Sequence, residues 1–357
     1  MKILRPILVL ASLPMLTVNA TAQISLAPPA AQAPQSSGKP AAKPKAKPHA
    51  VAKKPAAGPK PEATPAPTAT VTPAPVPDDP NVDLVYGAYQ RGMYKTAFDL
   101  ATRRAQEKGD PKAMTMLGEL YANGFGIKRD DAKAAEWYKR AADGGDREGM
   151  FELAMLRLAG RGGPVNREEA VKMLASSAKL GNPKAAYNLA LLYLGGETLP
   201  QDLKRAAELL RLAADAGNPE AQYALATFYK EGTGVPKDID KAVQLLQAAS
   251  LAGNVDAEVE YAIALFNGTG TPKNEPAAVA LLRKAAKQNN PIAQNRLARV
   301  LASGQGTPVD KVEALKWHMI AKTAGKGDPQ LDEALANLSS EDRAKAEAGM
   351  RKWLGTK

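Results

Sequence analysis

A sequence motif of 36 residues is repeated six times along this 357-residue chain, and this repetition restricts the folds that the chain can adopt. Counting the first residue of each window as position 0, positions 3 and 8 hold Ala or Gly and position 24 holds Ala in every window. Self-similarity at such a period predicts a solenoid of stacked helix pairs. The six windows begin at Asp110, Asp146, Asn182, Asn218, Asn254 and Asn290.

Each window carries the start and stop signals of two helices. Positions 0 and 20 are Asp or Asn in all six windows, and their side chains can cap the free N–H groups of a starting helix. Position 1 is often Pro, which suits the first helical turn. The residue before position 0 is Gly except at Asn289, and glycine there suits a left-handed C-cap. We therefore predict a helix A of about 13 residues, a glycine loop and a helix B of about 14.

The unit A-x-x-x-L-(G/A)-x-x-Y-x-x-G-x-G, followed by D-x-x-x-A and A-A-x-x-G, resembles the Sel-one-like repeat (SLR) family, α/α relatives of the tetratricopeptide repeat (TPR). The resemblance covers residues 110–325. Arg157 at position 11 and Thr198 at position 16 depart from the unit without changing the period. The resemblance implies an all-α fold, a right-handed α/α solenoid of SLR/TPR-like helix-turn-helix repeats, and a role in protein interaction.

Within a predicted solenoid over residues 81–357, six repeats occupy 110–327. Residues 81–109 resemble a degenerate N-terminal helix pair, and residues 328–357 resemble C-terminal capping helices. Solenoids need such ends because the terminal repeat would otherwise expose an apolar face.

Residues 1–22 have the layout of a signal peptide, with Lys2 and Arg5 before a short apolar run and small residues at its end. The run is shorter than the roughly 20 residues that a membrane span needs. We expect cleavage after Ala22, with Ala20 as the alternative. The expected location is the bacterial periplasm, or alternatively outside the cell.

Residues 23–80 are rich in Pro, Ala and Lys, with 15 of the 28 prolines and seven lysines. Such a segment has too little apolar surface to offset the entropy of ordering, so we predict a disordered, extended linker. The leader and this linker carry much of the formal net charge of +11, which leaves the solenoid mildly basic. An anionic envelope polymer is a possible partner of the linker, and nucleic acid is not expected.

The sequence offers no recognisable active site. It has no cysteine and two histidines, His49 in the linker and His318 at position 28, where other windows have Leu or Tyr. We interpret His318 as a packed residue of helix B, and a catalytic base would need it exposed in a cleft. The recurring Gly-x-Gly pairs lie between two helices and lack the strand that a phosphate loop requires. We predict a protein without catalysis, metal or cofactor.

One side of helix A is more apolar than the packing of the repeats requires. Positions 5, 9 and 12 share a side opposite the packing positions, and we call their side chains the helix-A face. In TPR-like arrays this side lines the concave groove, and in the middle of this chain it is apolar. We expect its polar ends to be formed by Glu119, Thr227, Lys230, Asn295 and Arg299. The predicted binding residues are Phe151, Met155, Leu158, Tyr187, Leu191, Leu194, Tyr223, Thr227, Lys230, Ile263, Phe266, Asn295 and Arg299.

Two interpretations of this face stay open. It binds an extended peptide or helix of a partner protein, or the superhelix fills its own groove with these side chains. In the first case the chain is a protein-interaction scaffold of the bacterial cell envelope. Alternatives are a periplasmic regulator that restrains a membrane sensor protein, and a protein that associates with peptidoglycan or another anionic glycan through its Lys-Pro segment.

Overall fold

The computed structural model describes residues 83–355, and these residues are helical without a strand. The predicted leader and the predicted linker lie outside the described residues. Among the described residues, no helix has both the length and the apolarity needed to cross a membrane. The helices are α1 (Leu84–Gln90), α2 (Tyr94–Lys108), α3 (Pro111–Asn123), α4 (Asp131–Asp143), α5 (Arg147–Ala159), α6 (Arg167–Lys179), α7 (Pro183–Gly195), α8 (Leu203–Asp215), α9 (Pro219–Glu231), α10 (Ile239–Leu251), α11 (Val255–Asn267), α12 (Glu275–Lys287), α13 (Pro291–Ser303), α14 (Lys311–Thr323), α15 (Pro329–Ala334) and α16 (Ser340–Leu354).

The predicted caps are confirmed in all six windows. Each Asp or Asn at positions 0 and 20 accepts a hydrogen bond from a backbone N–H of the helix that follows it. Asn218, for example, accepts from the Ala221 N–H at 2.7 Å. The residue before position 0 has a positive φ even where it is not glycine, since φ of Asn289 is 62°. Both helices of a window have 13 residues, so helix B is slightly shorter than predicted.

Small buried residues hold the helices together. Each helix A packs on helix B of its own window, and each helix B packs on helix A of the next. The side chains at position 24 and at position 8, where Gly118 stands in the first window, are almost completely buried. Because a larger side chain there would overpack the contact, the alanine spacing sets how closely neighbouring helices approach.

We expect Ala226→Leu to lower the free energy of unfolding by about 1–3 kcal/mol, because Ala226 has no room for three more carbons. Ala226 is 1% exposed and lies in a cluster with Leu246, Ala249 and Ala257. The midpoint of urea unfolding, followed by circular dichroism, measures the loss. Ala132→Leu, at an exposed position of α4, is the matched control. Equal midpoints for the two variants would contradict the packing argument.

Both ends of the array carry helices outside the six windows. At the N-terminal end, α1 and α2 pack on each other and on α3, and Tyr94 stacks on Phe125 with ring centroids 4.7 Å apart. At the C-terminal end, α16 packs on α14 and buries Ala346. Trp353 of α16 lies edge-on to Trp317 of α14, with ring centroids 5.1 Å apart.

Candidate protein-binding face

The helix-A face is partly buried along its whole predicted length. Phe151 and Phe266 are each 8% exposed, and the remaining predicted binding residues are half-buried. None of the thirteen is fully exposed. The structure therefore gives each of these side chains internal contacts, and it leaves part of most of them open to solvent.

The apolar middle of the face lies on α5 and α7. Met155, Leu158, Tyr187 and Leu194 pack against the buried core of the second to fourth windows while keeping an accessible part. Leu191 is also half-buried. Burial raises the pKa of the Tyr187 phenol. These five side chains lie on two successive A helices, and we call them the apolar strip.

In the fourth and fifth windows the helix-A face contains polar side chains as well as apolar ones. The Thr227 hydroxyl donates to the Tyr223 carbonyl of its own helix at 3.2 Å, and burial raises the pKa of Tyr223 to about 12. Lys230 donates to Glu260 of α11 at 3.1 Å. Ile263 of the same helix packs, half-buried, against the C-terminal core. Lys230 is thus paired across two helices.

The predicted polar end in the last window holds the C-terminal segment. Arg299 donates to Asp328 at 2.6 Å, and Asn295 donates to the Lys326 carbonyl at 3.3 Å. Asp328 is only 3% exposed and also caps α15. Arg299 and Asn295 therefore have partners within the chain. Sequence reasoning gave them only a binding role, because it had no means to pair them with residues about 30 positions away.

An acidic group lies beside the other end of the face, at Glu119, and the central residue of this group was missed by sequence reasoning. Glu152, at position 6 of the second window, is partly buried and has no hydrogen-bond or ion-pair partner among the described residues. Glu119 of α3 and Glu148 of α5 lie close enough to act on its charge. The available signal was three glutamates at positions 9, 2 and 6 of two successive A helices.

The cations near Glu152 are engaged with other carboxylates. Lys184 of α7 donates to Glu148 at 2.7 Å and lies 5.7 Å from the centroid of the Phe151 ring. Arg161, in the loop after α5, donates to both carboxylate oxygens of Asp131, at 3.1 and 2.8 Å. Glu119 accepts from the Tyr89 hydroxyl at 2.6 Å, which leaves its negative charge uncompensated.

These surroundings raise the pKa of Glu152 to about 7. Burial is the largest cause, and repulsion by Glu148 and Glu119 adds to it, while Lys184 and Arg161 act in the opposite direction. The carboxylate also acts on Tyr138 of α4, whose pKa is raised mainly by burial. Glu152 is thus a carboxyl group that is about half ionised near neutral pH.

His318 is a packed residue of helix B and does not lie exposed in a cleft. It is 1% exposed, and its Nε2 lies 2.8 Å from Asp332 Oδ1. Lys322 donates to the same carboxylate at 3.0 Å, and together with His318 it lowers the pKa of Asp332. The described residues include no group of three or more His, Cys, Asp or Glu side chains able to hold a metal ion. The interpretation of His318 as a packed residue is confirmed.

Comparison with protein-family models identifies the repeat. The model described as Sel1 repeat matches six adjoining segments, residues 111–146, 147–182, 183–218, 219–254, 255–290 and 291–325. These segments coincide with the six windows of the sequence to within one residue, except at the C-terminal end of the last. A search of curated proteins finds no match.

Solved structures agree with this match. The crystal structure of a Sel1 repeat protein from Oxalobacter formigenes is 27% identical over 68% of this chain and 100% of that chain, with a TM-score of 0.60. The crystal structure of c5321, a protective antigen in uropathogenic Escherichia coli strains that displays an SLR fold, is 26% identical over 76% of this chain and 67% of that chain, with a TM-score of 0.52.

Proposed function

The chain belongs to the Sel1 repeat family, and we propose that it is a non-enzymatic scaffold that binds a segment of a partner protein on its helix-A face. Solenoids of Sel1 repeats are commonly protein-interaction scaffolds. The proposal adds the surface that this particular chain uses. It also places the scaffold in the bacterial cell envelope, in keeping with the signal-peptide layout of residues 1–22.

The observation that supports the proposal is the apolar strip on α5 and α7. Met155, Leu158, Tyr187, Leu191 and Leu194 are all half-buried, so each retains apolar surface that a partner can cover. Burying such a side chain fully is worth about 1.5–3 kcal/mol when it starts exposed, and about half of that when it starts half-buried. A few of them together are enough for a specific peptide contact.

Site-specific photocrosslinking in the native host tests the surface. We expect a benzoylphenylalanine at Tyr187 to capture one partner and the same probe at Lys241, an exposed residue of α10, to capture none. Met155→Gln in the Tyr187 probe chain should remove the adduct, since it places an amide in the apolar strip. A folded Tyr187 probe chain that gives no adduct would mean that the helix-A face is internal packing.

A second candidate function rests on the seven lysines of residues 23–80. If these residues attach the protein to an anionic envelope polymer, deleting them abolishes envelope association, and raising the ionic strength weakens association of the intact chain. Association that survives both changes assigns the contact to the solenoid. In the regulatory alternative, the partner captured at Tyr187 is a membrane sensor protein.

A further inference from the structure

The apolar strip ends at a group of like charges that the solenoid does not neutralise. Glu152 lies one helical turn from Met155 on α5, so both side chains are on the same side of the helix. Lys184 contacts Phe151 and Glu148, which places the start of α7 beside this part of α5. The acidic group and the apolar strip are therefore parts of one surface.

The charges that face Glu152 come from every element packed around it. Glu119 of α3 and Glu148 of α5 repel its charge, whereas Lys184 of α7 and Arg161 after α5 attract it. Arg161 is bound to Asp131, and Lys184 is bound to Glu148. Asp131 also accepts from Arg129, so four carboxylates lie with three cations, and the surface keeps an excess of one negative charge.

We infer that the partner segment presents a lysine or arginine side chain to Glu152, with apolar residues beside it that cover Met155 and Tyr187. This inference rests on the proposed function and names the chemistry of its partner. A cation placed here gives a partly buried carboxylate the opposite charge that it lacks. Acidic side chains of a partner would be repelled by Glu119, Glu148 and Glu152 together. Complementarity of charge therefore selects basic, apolar segments over acidic ones.

Ionisation of Glu152 gives such binding a pH dependence. A cationic partner binds the ionised carboxylate, so its binding releases a proton from chains in which Glu152 is protonated. With a free pKa of about 7, the apparent affinity should fall about tenfold between pH 8 and pH 6. Glu152→Gln removes both the charge and the proton, and its profile should be flat over this range.

Phage-displayed random nonapeptides, panned against the full chain at pH 8, test the inference. We expect the enriched peptides to carry a lysine or arginine next to aliphatic or aromatic residues. Fluorescein-labelled copies should bind Glu152→Gln at least tenfold more weakly than the wild type at pH 8. Replacing the peptide's basic residue by norleucine should flatten the pH profile of the wild type. Glu208→Gln, at an exposed glutamate of α8, is the matched control and should behave as the wild type.

The outcomes separate this inference from the proposed function. Enriched peptides that need Met155 but lack a basic residue, or that bind Glu152→Gln with an unchanged pH profile, overturn only the inference. The absence of any peptide whose binding depends on Met155 overturns both. Peptide binding that appears only after residues 23–80 are removed would assign the surface to the chain's own lysines, and a pH-dependent dimer in light scattering would assign it to a second copy.

Discussion

Gly234→Ala should lower the free energy of unfolding by about 3 kcal/mol or more, whereas Gly217→Ala should lower it by about 1–2 kcal/mol. Both glycines have a left-handed backbone, with φ of 66° and 84°, so both substitutions impose the same kind of strain. They differ in their surroundings. A Cβ at Gly217 meets nothing within 4 Å, but a Cβ at Gly234 would lie 2.8 Å from the carbonyl carbon of Leu203 and closer still to its oxygen.

The difference between the stability losses of the two variants measures the contribution of the contact between neighbouring repeats. Leu203 is the first residue of α8, so the loop after α9 lies directly on the N-terminus of the preceding helix B. Urea unfolding of both variants, compared with the wild type, measures the two losses. Equal losses would show that the loop moves away from α8 at little cost and that Gly234 is needed only for its backbone conformation.

The helices and their order could be predicted because their signals are local. Asn218, Pro219 and Gly217 act within one turn of the helix boundary that they define, and the structure confirms the cap, the start and the stop that they predict. The small residues at fixed positions predicted the packing for the same reason, since each repeat contacts mainly its neighbours. The match of six Sel1 repeats confirms the fold family.

Asn289 and Thr198 each replace a glycine of the repeat, and they show whether the left-handed backbone at that position requires glycine. Asn289 replaces the usual glycine and still adopts a positive φ, which asparagine tolerates better than most residues. Thr198 replaces the second loop glycine, and it does not have a positive φ. The third window therefore forms its loop with a different backbone, and the 36-residue period is nevertheless kept.

The binding face could be predicted only in outline. Whether Tyr187 and Leu191 line a groove or pack inside the superhelix depends on small rotations between repeats, which no single window specifies. Both side chains are half-buried, which is compatible with a groove and with internal packing, so their binding role stays a prediction. The pairing of Arg299 with Asp328 and the charges around Glu152 depend on residues outside their own window, and position within one window does not reveal them.

The position of Glu152 should also affect stability, in a way that depends on pH. Its pKa rises from 4.5 to about 7 in the folded chain, so the folded state binds the proton more tightly than the unfolded state. The stability that comes from protonated Glu152 is fully present below about pH 4.5, and it is lost as the pH rises through about 7. A shift of this size corresponds to about 3 kcal/mol.

We therefore expect Glu152→Gln to raise the free energy of unfolding by about 3 kcal/mol at pH 8 and to change it little near pH 4.5. Glutamine keeps the shape of the side chain and carries no charge to be buried beside Glu119 and Glu148. Urea unfolding at the two pH values measures the effect, and Glu208→Gln, which loses only an exposed ion pair with Arg205, should change stability by less than about 0.5 kcal/mol at both. A variant that is stabilised equally at both pH values would show that burial of charge is not the cause. Stabilisation at pH 8 together with loss of basic-peptide binding would mean that the solenoid keeps an unfavourable carboxylate because a partner's cation neutralises it.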